Sequence, residues 1–292
     1  MNRKHFSSVE LLTFAYGIIT GVYILLFVRK IDQPAHLLLM RGLVFAVIVA
    51  LMFVSERCPH TPVRLIRYVF PFALVAYWYP ETYYLGHEVL MPNFDRLFDR
   101  IDAALFGCSP AMKFSAMLPQ RIVSEIMYFG YLSYYFLFVF LFFTLFFIKP
   151  ALADRTMFYC LCSFFIFYAI FALIPAAGPQ FYYSYPDNAV PDGYFFSHFM
   201  RDLQTAGEKP TGAFPSSHVG MTLIAMYLIY RNLRKWFYVW LPIAMTLIAS
   251  TVYIKAHYLI DVIAAFIVTP IIFLLSKKIY GAVNRWQKAD VR

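Results

Sequence analysis

Two short strings in this chain carry residues able to act together on an anionic ester. The first is Gly212-Ala213-Phe214-Pro215-Ser216-Ser217-His218-Val219-Gly220, which runs straight into an apolar stretch. Pro215 and Ser216 suit the first turn and the cap of a helix. A helix N-terminus offers backbone N–H groups and a partial positive charge, which together favour a phosphate. The hydroxyls of Ser216 and Ser217 add donors, and His218 sits within a turn of such an anion. By itself, Ser-Ser-His at a helix start more often reads as an ordinary cap.

The second string is Ser250-Thr251-Val252-Tyr253-Ile254-Lys255-Ala256-His257-Tyr258-Leu259-Ile260-Asp261-Val262. His257 and Asp261 are four residues apart, which puts them on one helical face within reach of each other. A carboxylate on one imidazole nitrogen fixes the tautomer and leaves the other nitrogen basic and aimed outward. Asp261 opens an apolar run, and at the centre of a membrane span such a charge costs roughly 2.5–3.5 kcal/mol. An acid kept there is a functional candidate. Two other readings stand beside it: a structural His–Asp pair tying two helix ends, and a metal site from both histidines and Asp261, which lacks a fourth ligand.

Taken together, the strings are more specific than either alone. Phe-Pro-Ser-x-His at Phe214–His218, followed by His-Tyr-x-x-Asp-Val at His257–Val262, resembles the type 2 phosphatidic acid phosphatase superfamily. Its members include lipid phosphate phosphatases, vanadium haloperoxidases, and sphingomyelin and inositol phosphorylceramide synthases. The likeness is firm over the two motifs and looser over the helical layout of residues 120–280. It implies that His257 is a nucleophile forming a phosphohistidine, that Asp261 orients it, and that His218 protonates the leaving alkoxide and then activates the acceptor. It calls for no metal or other cofactor.

Departures from the family pattern are informative. The phosphatase branch carries Lys-x6-Arg-Pro in a preceding loop, whereas this chain reads Pro175-Ala176-Ala177-Gly178-Pro179-Gln180-Phe181-Tyr182. Where that branch has an arginine ahead of the second histidine, Thr251 stands here. Lys209 and Lys255 lie in the right loops to supply positive charge, with Gln180 as a neutral donor. Each also reads as an ordinary interfacial lysine or loop amide. The Gly-Pro pair and the two motif strings are more similar to the inositol phosphorylceramide and sphingomyelin synthase branch, which implies headgroup transfer to a lipid acceptor rather than hydrolysis.

The elements that must position these residues are membrane helices. Of 292 residues, 61% are hydrophobic and 14% charged, against about 45–50% and about 25% in soluble domains. A bilayer core about 30 Å thick needs roughly 20 apolar residues per helix. Windows of that kind begin near Leu11, Leu38, Ile66, Ile122, Thr156, Ser216, Trp236 and Tyr258. The expected fold is all-α, a polytopic bundle of about eight spans. Residues 1–65 read as N-terminal spans and 66–285 as one catalytic unit. Arg3 and Lys4 precede an apolar stretch, Leu11 to Val28, that lacks a small-x-small cleavage site, so it reads as a retained span. Arg41 lies in the second span, near enough to an end to snorkel. Phe94, Leu97, Ile101 and Leu105 recur at helical spacing and predict an amphipathic helix on the membrane surface.

Charge gives an orientation. With eight spans, one face collects both termini and 15 of the 25 Lys and Arg residues, which predicts cytoplasmic termini of a multi-pass cell-membrane protein. The loop after Ala176 and the turn before His257 then share the periplasmic or exterior face. The net charge of +9 is scattered in short clusters, which suits anionic membrane lipids and not nucleic acid. Four cysteines without ligand spacing read as packing. Tyr128, Tyr131, Tyr134 and Tyr135 also read as packing, Glu125 as a possible polar contact in the cavity, and His198 and Arg201 as a solvated loop face. The expected activity is phosphoester hydrolysis or phosphotransfer on a phospholipid or isoprenoid phosphate. A non-enzymatic lipid carrier is the alternative from another class, though no inverted repeat supports it.

Overall fold

The computed structural model describes residues 6–90 and 93–289. Arg3 and Lys4 therefore lie outside the described residues, as do Met91 and Pro92 of the interfacial stretch. The chain forms α1 (Ser8–Leu26), α2 (Pro34–Arg57), α3 (Thr61–Trp78), α4 (Glu81–Tyr83), a π-helical turn (Tyr84–Glu88), α5 (Asp95–Phe106), α6 (Pro110–Met117), α7 (Arg121–Ile148) and α8 (Pro150–Leu173). It continues with α9 (Pro179–Tyr182), α10 (Phe196–Gly207), α11 (Ser217–Asn232), α12 (Arg234–Tyr253) and α13 (Leu259–Ala289). No strand occurs among the described residues.

Among the described residues, six helices are long and apolar enough to cross a membrane: α1, α2, α7, α8, α12 and α13. The other two expected spans form as helices but fall short of that measure. Arg64 and Arg67 lower the apolarity of α3, and α11 has only 16 residues, about 24 Å at 1.5 Å per residue. Eight spans is thus an approximate count. Large apolar side chains face outward along the bundle, among them Ile18, Ile19 and Leu25 on α1, Leu39 and Leu43 on α2, and Phe266, Ile267 and Ile271 on α13. Apolar surface this continuous is suited to lipid. The interior is built by α7, α8, α11, α12 and α13, with Leu137, Phe138, Leu141, Phe158, Phe167 and Ile229 at its centre.

The polar contacts sort the connections into two ends. Ser8 Oγ donates to Gln287 Oε1, Arg67 pairs with Glu10 at 2.7 Å, and Lys149 Nζ donates to the Asn232 carbonyl. Both ends of the described chain therefore gather with the α2–α3, α7–α8 and α11–α12 corners. The opposite end holds residues 79–90, 93–120, 174–216 and 254–258.

Arg41 does not snorkel. It is buried, its Nη2 lies 2.6 Å from Glu81 Oε2, and it also donates to Thr20 Oγ1 and the Leu37 carbonyl. An inward partner on α4 satisfies the guanidinium better than a bent path to water.

The helix expected on the surface forms as α5, but its acidic face does not turn to water. Asp95, Phe98 and Asp102 are buried, while Leu97 and Leu105 are exposed. The acids find buried backbone donors in the neighbouring loops, which is why that face turns inward and leaves leucines to the bilayer.

Candidate active site

Three segments converge at the loop-bearing end. Ala176–Gly178 follows α8, Thr211–Ser217 leads into α11, and Ile254–Tyr258 joins α12 to α13. The Ala213 N–H donates to the Ala176 carbonyl, Gln180 N–H to the Lys255 carbonyl, and Ser216 N–H to the Asp261 carbonyl. Two glycines allow this approach. Gly178 has φ +91° and a Cβ there would lie 2.5 Å from the Ala256 carbonyl oxygen. Gly212 has φ +80° and a Cβ would meet the Tyr79 ring at 2.7 Å. Both positions need glycine for backbone conformation and for space.

His257 and His218 meet here. His257 Nε2 lies 3.5 Å from His218 Nδ1. His257 Nδ1 lies 2.7 Å from the Ala213 carbonyl oxygen and 3.5 Å from Asp261 Oδ2. A carbonyl can only accept, so Nδ1 carries the proton and Nε2 keeps its lone pair toward His218. Asp261 adds a nearby carboxylate, with Oδ2 also accepting from the Tyr258 N–H at 2.8 Å. Burial pulls the His257 imidazole down from 6.5 to about 4, against the favourable Ala213 hydrogen bond. His257 is therefore neutral at pH 7. His218, the second residue of α11, is held between rings, 4.6 Å from Tyr131 and 4.5 Å from Tyr134 centroid to centroid.

The other candidates separate. Ser217 and Gln180 line the cavity that holds the two histidines. Ser216 caps its own helix by accepting from the Val219 N–H at 3.3 Å. Lys255 Nζ is turned away, donating to the carbonyls of Asp187 and Ala189 at 2.6 Å each. Lys209 is exposed and does not line the cavity. Glu125 is not in the cavity: it accepts from the N–H groups of Tyr194, Phe195 and Phe196 at the start of α10. Arg201 pairs with Asp192 and reaches Tyr128. Among the described residues, no group of His, Cys, Asp and Glu is arranged to hold a metal ion. A larger cavity at the opposite end, bordered by Arg64, Arg67 and Asp154, contains none of these residues.

Three acids were missed by sequence reasoning. Asp95 accepts from the N–H groups of Ala177 and Gly178 at 2.8 Å each and from the Tyr258 hydroxyl. Asp102 accepts from the N–H groups of Leu259 and Ile260 at 2.8 and 2.9 Å, capping α13 just ahead of Asp261. Both therefore brace the loops that carry His257. Their signal was present, since 95 and 102 share one face of α5. Glu208 lines the cavity itself, and burial raises its carboxyl above the usual range.

A family model described as the PAP2 superfamily matches residues 98–275. The chain is 29% identical over 119 residues to a PA-phosphatase related-family protein from Dictyostelium discoideum, a match covering 39% of this chain and 22% of that relative. The chain thus spans about a fifth of that relative's length. No solved structure matches it.

Proposed function

Because the chain belongs to the PAP2 superfamily, we propose that it is a membrane enzyme that moves a phosphoryl or phospho-headgroup from a lipid through a phosphohistidine. The observation carrying this reading is the paired imidazoles: Nδ1 of His257 held at 2.7 Å by Ala213 while Nε2 faces His218 at 3.5 Å.

The Nε2 lone pair of His257 attacks phosphorus. The bond from phosphorus to the lipid oxygen breaks, and the leaving alkoxide takes a proton from His218. An arriving anionic phosphoryl group favours that protonated His218. In the second half, an acceptor hydroxyl gives its proton to His218 and attacks phosphorus, and the P–N bond returns its electron pair to Nε2. Positive charge on His257 in the intermediate is balanced by Asp261. Proton transfer of this kind contributes about 10²–10⁴-fold. Ser217 and the N-terminus of α11 would receive the phosphoryl oxygens. With both termini on the cytoplasmic side, the site opens at headgroup level on the exterior face.

Headgroup transfer is favoured over monoester hydrolysis because no Lys or Arg among the described residues lines the cavity. A monoester dianion needs such charge more than a diester monoanion does. The test is purified protein in nanodiscs, given labelled phospholipids with and without diacylglycerol or ceramide. A new phospholipid marks transfer, free phosphate marks hydrolysis, and an acid-labile label on the protein marks the phosphohistidine. A folded His257→Ala protein that still turns over would end the proposal.

A further inference from the structure

The cavity beside the two histidines contains an acid where phosphate chemistry calls for positive charge. Glu208 follows α10, and its side chain lines the same cavity as His218 and His257. Gln180 Nε2 donates to Glu208 Oε2 at 2.8 Å, and Gln204 Nε2 lies 3.2 and 3.3 Å from the two carboxyl oxygens. Gln204 also reaches Gln180 Oε1 at 3.3 Å, so the carboxyl group is held in a fixed network.

The titratable groups facing Glu208 are Tyr79 from the end of α3, Tyr131 and Tyr135 from α7, His218 from α11 and His257 from the α12–α13 turn. None is a lysine or arginine. A phosphoryl group entering this cavity with Glu208 and Asp261 both ionised would set three anionic groups around two imidazoles. Charge that grows on the non-bridging oxygens in the transition state needs donors instead. A half-buried carboxyl that faces no cationic partner is displaced toward its protonated form.

We propose that Glu208 is a further catalytic residue, acting as a carboxylic acid that donates a hydrogen bond to a non-bridging phosphoryl oxygen. Burial raises its carboxyl above the usual carboxylate range, against the opposing pull of the Gln180 and Gln204 amides, in the direction that role requires. A neutral carboxyl kept as a donor in an apolar site is an established device for stabilising an oxyanion. The donor role rests on the phosphoryl-transfer reading, but the protonation state does not.

The two are tested separately. Infrared spectra of the protein in nanodiscs at pH 7 are expected to show a protonated carboxyl band that is lost in Glu208→Gln. Absence of that band overturns the proposal whatever the activity. In lipid turnover, Glu208→Ala is expected to lose about 10²–10³-fold, the usual cost of one such donor. Glu208→Gln, which keeps a neutral donor, is expected to stay at least about tenfold above the alanine variant. Wild-type turnover should fall at alkaline pH as the acid ionises, and that limb should vanish in Glu208→Gln. A glutamine variant no better than alanine would overturn the proposal. Turnover surviving in His257→Ala with the band intact would instead remove the phosphohistidine reading and leave the protonated Glu208 standing.

Discussion

His257 Nδ1 lies 2.7 Å from the Ala213 carbonyl oxygen but 3.5 Å from Asp261, so a backbone group fixes the tautomer of this imidazole. Asp261 holds the Tyr258 N–H and, in the proposed reaction, is left to supply charge balance. Asp261→Asn should therefore keep the Nδ1–H tautomer while weakening stabilisation of the cationic intermediate. Turnover is expected to fall by about tenfold to a hundredfold, well short of the roughly 10⁴-fold that follows a reversed tautomer. Nitrogen NMR of His257 reads the tautomer directly. A reversed tautomer in the asparagine variant would put control with the acid.

The proposed reaction gives His218 separate tasks in its two halves, and leaving-group chemistry can divide them. From a p-nitrophenyl phosphodiester the leaving p-nitrophenolate departs without a proton, so His218→Ala should still form the phosphohistidine from it. Acceptor activation has no such bypass. The expected result is a burst of p-nitrophenol followed by a steady state slowed about 10²–10⁴-fold, with the label retained on the protein. A variant slowed equally in both phases would place His218 outside the proton path.

Much of this arrangement was legible because it is local. His257 and Asp261 lie four residues apart, and Ser216, Ser217 and His218 are consecutive, so short-range geometry already groups them. Hydropathy likewise marked the eight long helices, although the arginines of α3 and the shortness of α11 blur two of them as spans. What could not be read is what depends on tertiary approach. The Ala213 carbonyl is a backbone acceptor with no side-chain signature. Arg41 looked like a snorkelling residue because its partner, Glu81, is brought to it only by packing of α2 against the α3–α4 corner. Asp95 and Asp102 looked like the wet face of an interfacial helix because their donors are N–H groups of distant loops.

The pH response of His257 follows from its burial. Its imidazole is lowered from 6.5 to about 4, so it stays neutral, as the proposed nucleophile must, when pH falls past 6.5. The acid limb of turnover due to His257 is therefore expected near pH 4. Stability behaves differently. Above pH 6.5 this histidine is neutral folded and unfolded and contributes no pH dependence. Between pH 6.5 and 4 the unfolded chain binds a proton there that the folded chain does not, so stability declines as pH falls and levels off below 4. Melting temperatures across this window should slope less in His257→Gln than in wild type. Equal slopes would show that His257 is not the group titrating.

Asp102 should govern catalysis without touching substrate. It holds the Leu259 and Ile260 N–H groups at 2.8 and 2.9 Å, immediately between His257 and Asp261 in sequence. Asp102→Ala leaves both half-buried donors without this acceptor, at up to about 1 kcal/mol for each hydrogen bond lost. The start of α13 is then free to shift, and a displacement of about 1 Å at reacting groups costs about 10² in rate. The variant is therefore expected to lose kcat by about that factor with KM little changed, because Asp102 does not line the cavity of the two histidines. Asp102→Asn retains one acceptor oxygen and should recover part of the rate. A melting temperature that drops in Asp102→Ala while kcat holds would reduce α5 to a brace for the fold. A fall in kcat that asparagine partly restores would establish it as the support on which His257 and Asp261 are aligned.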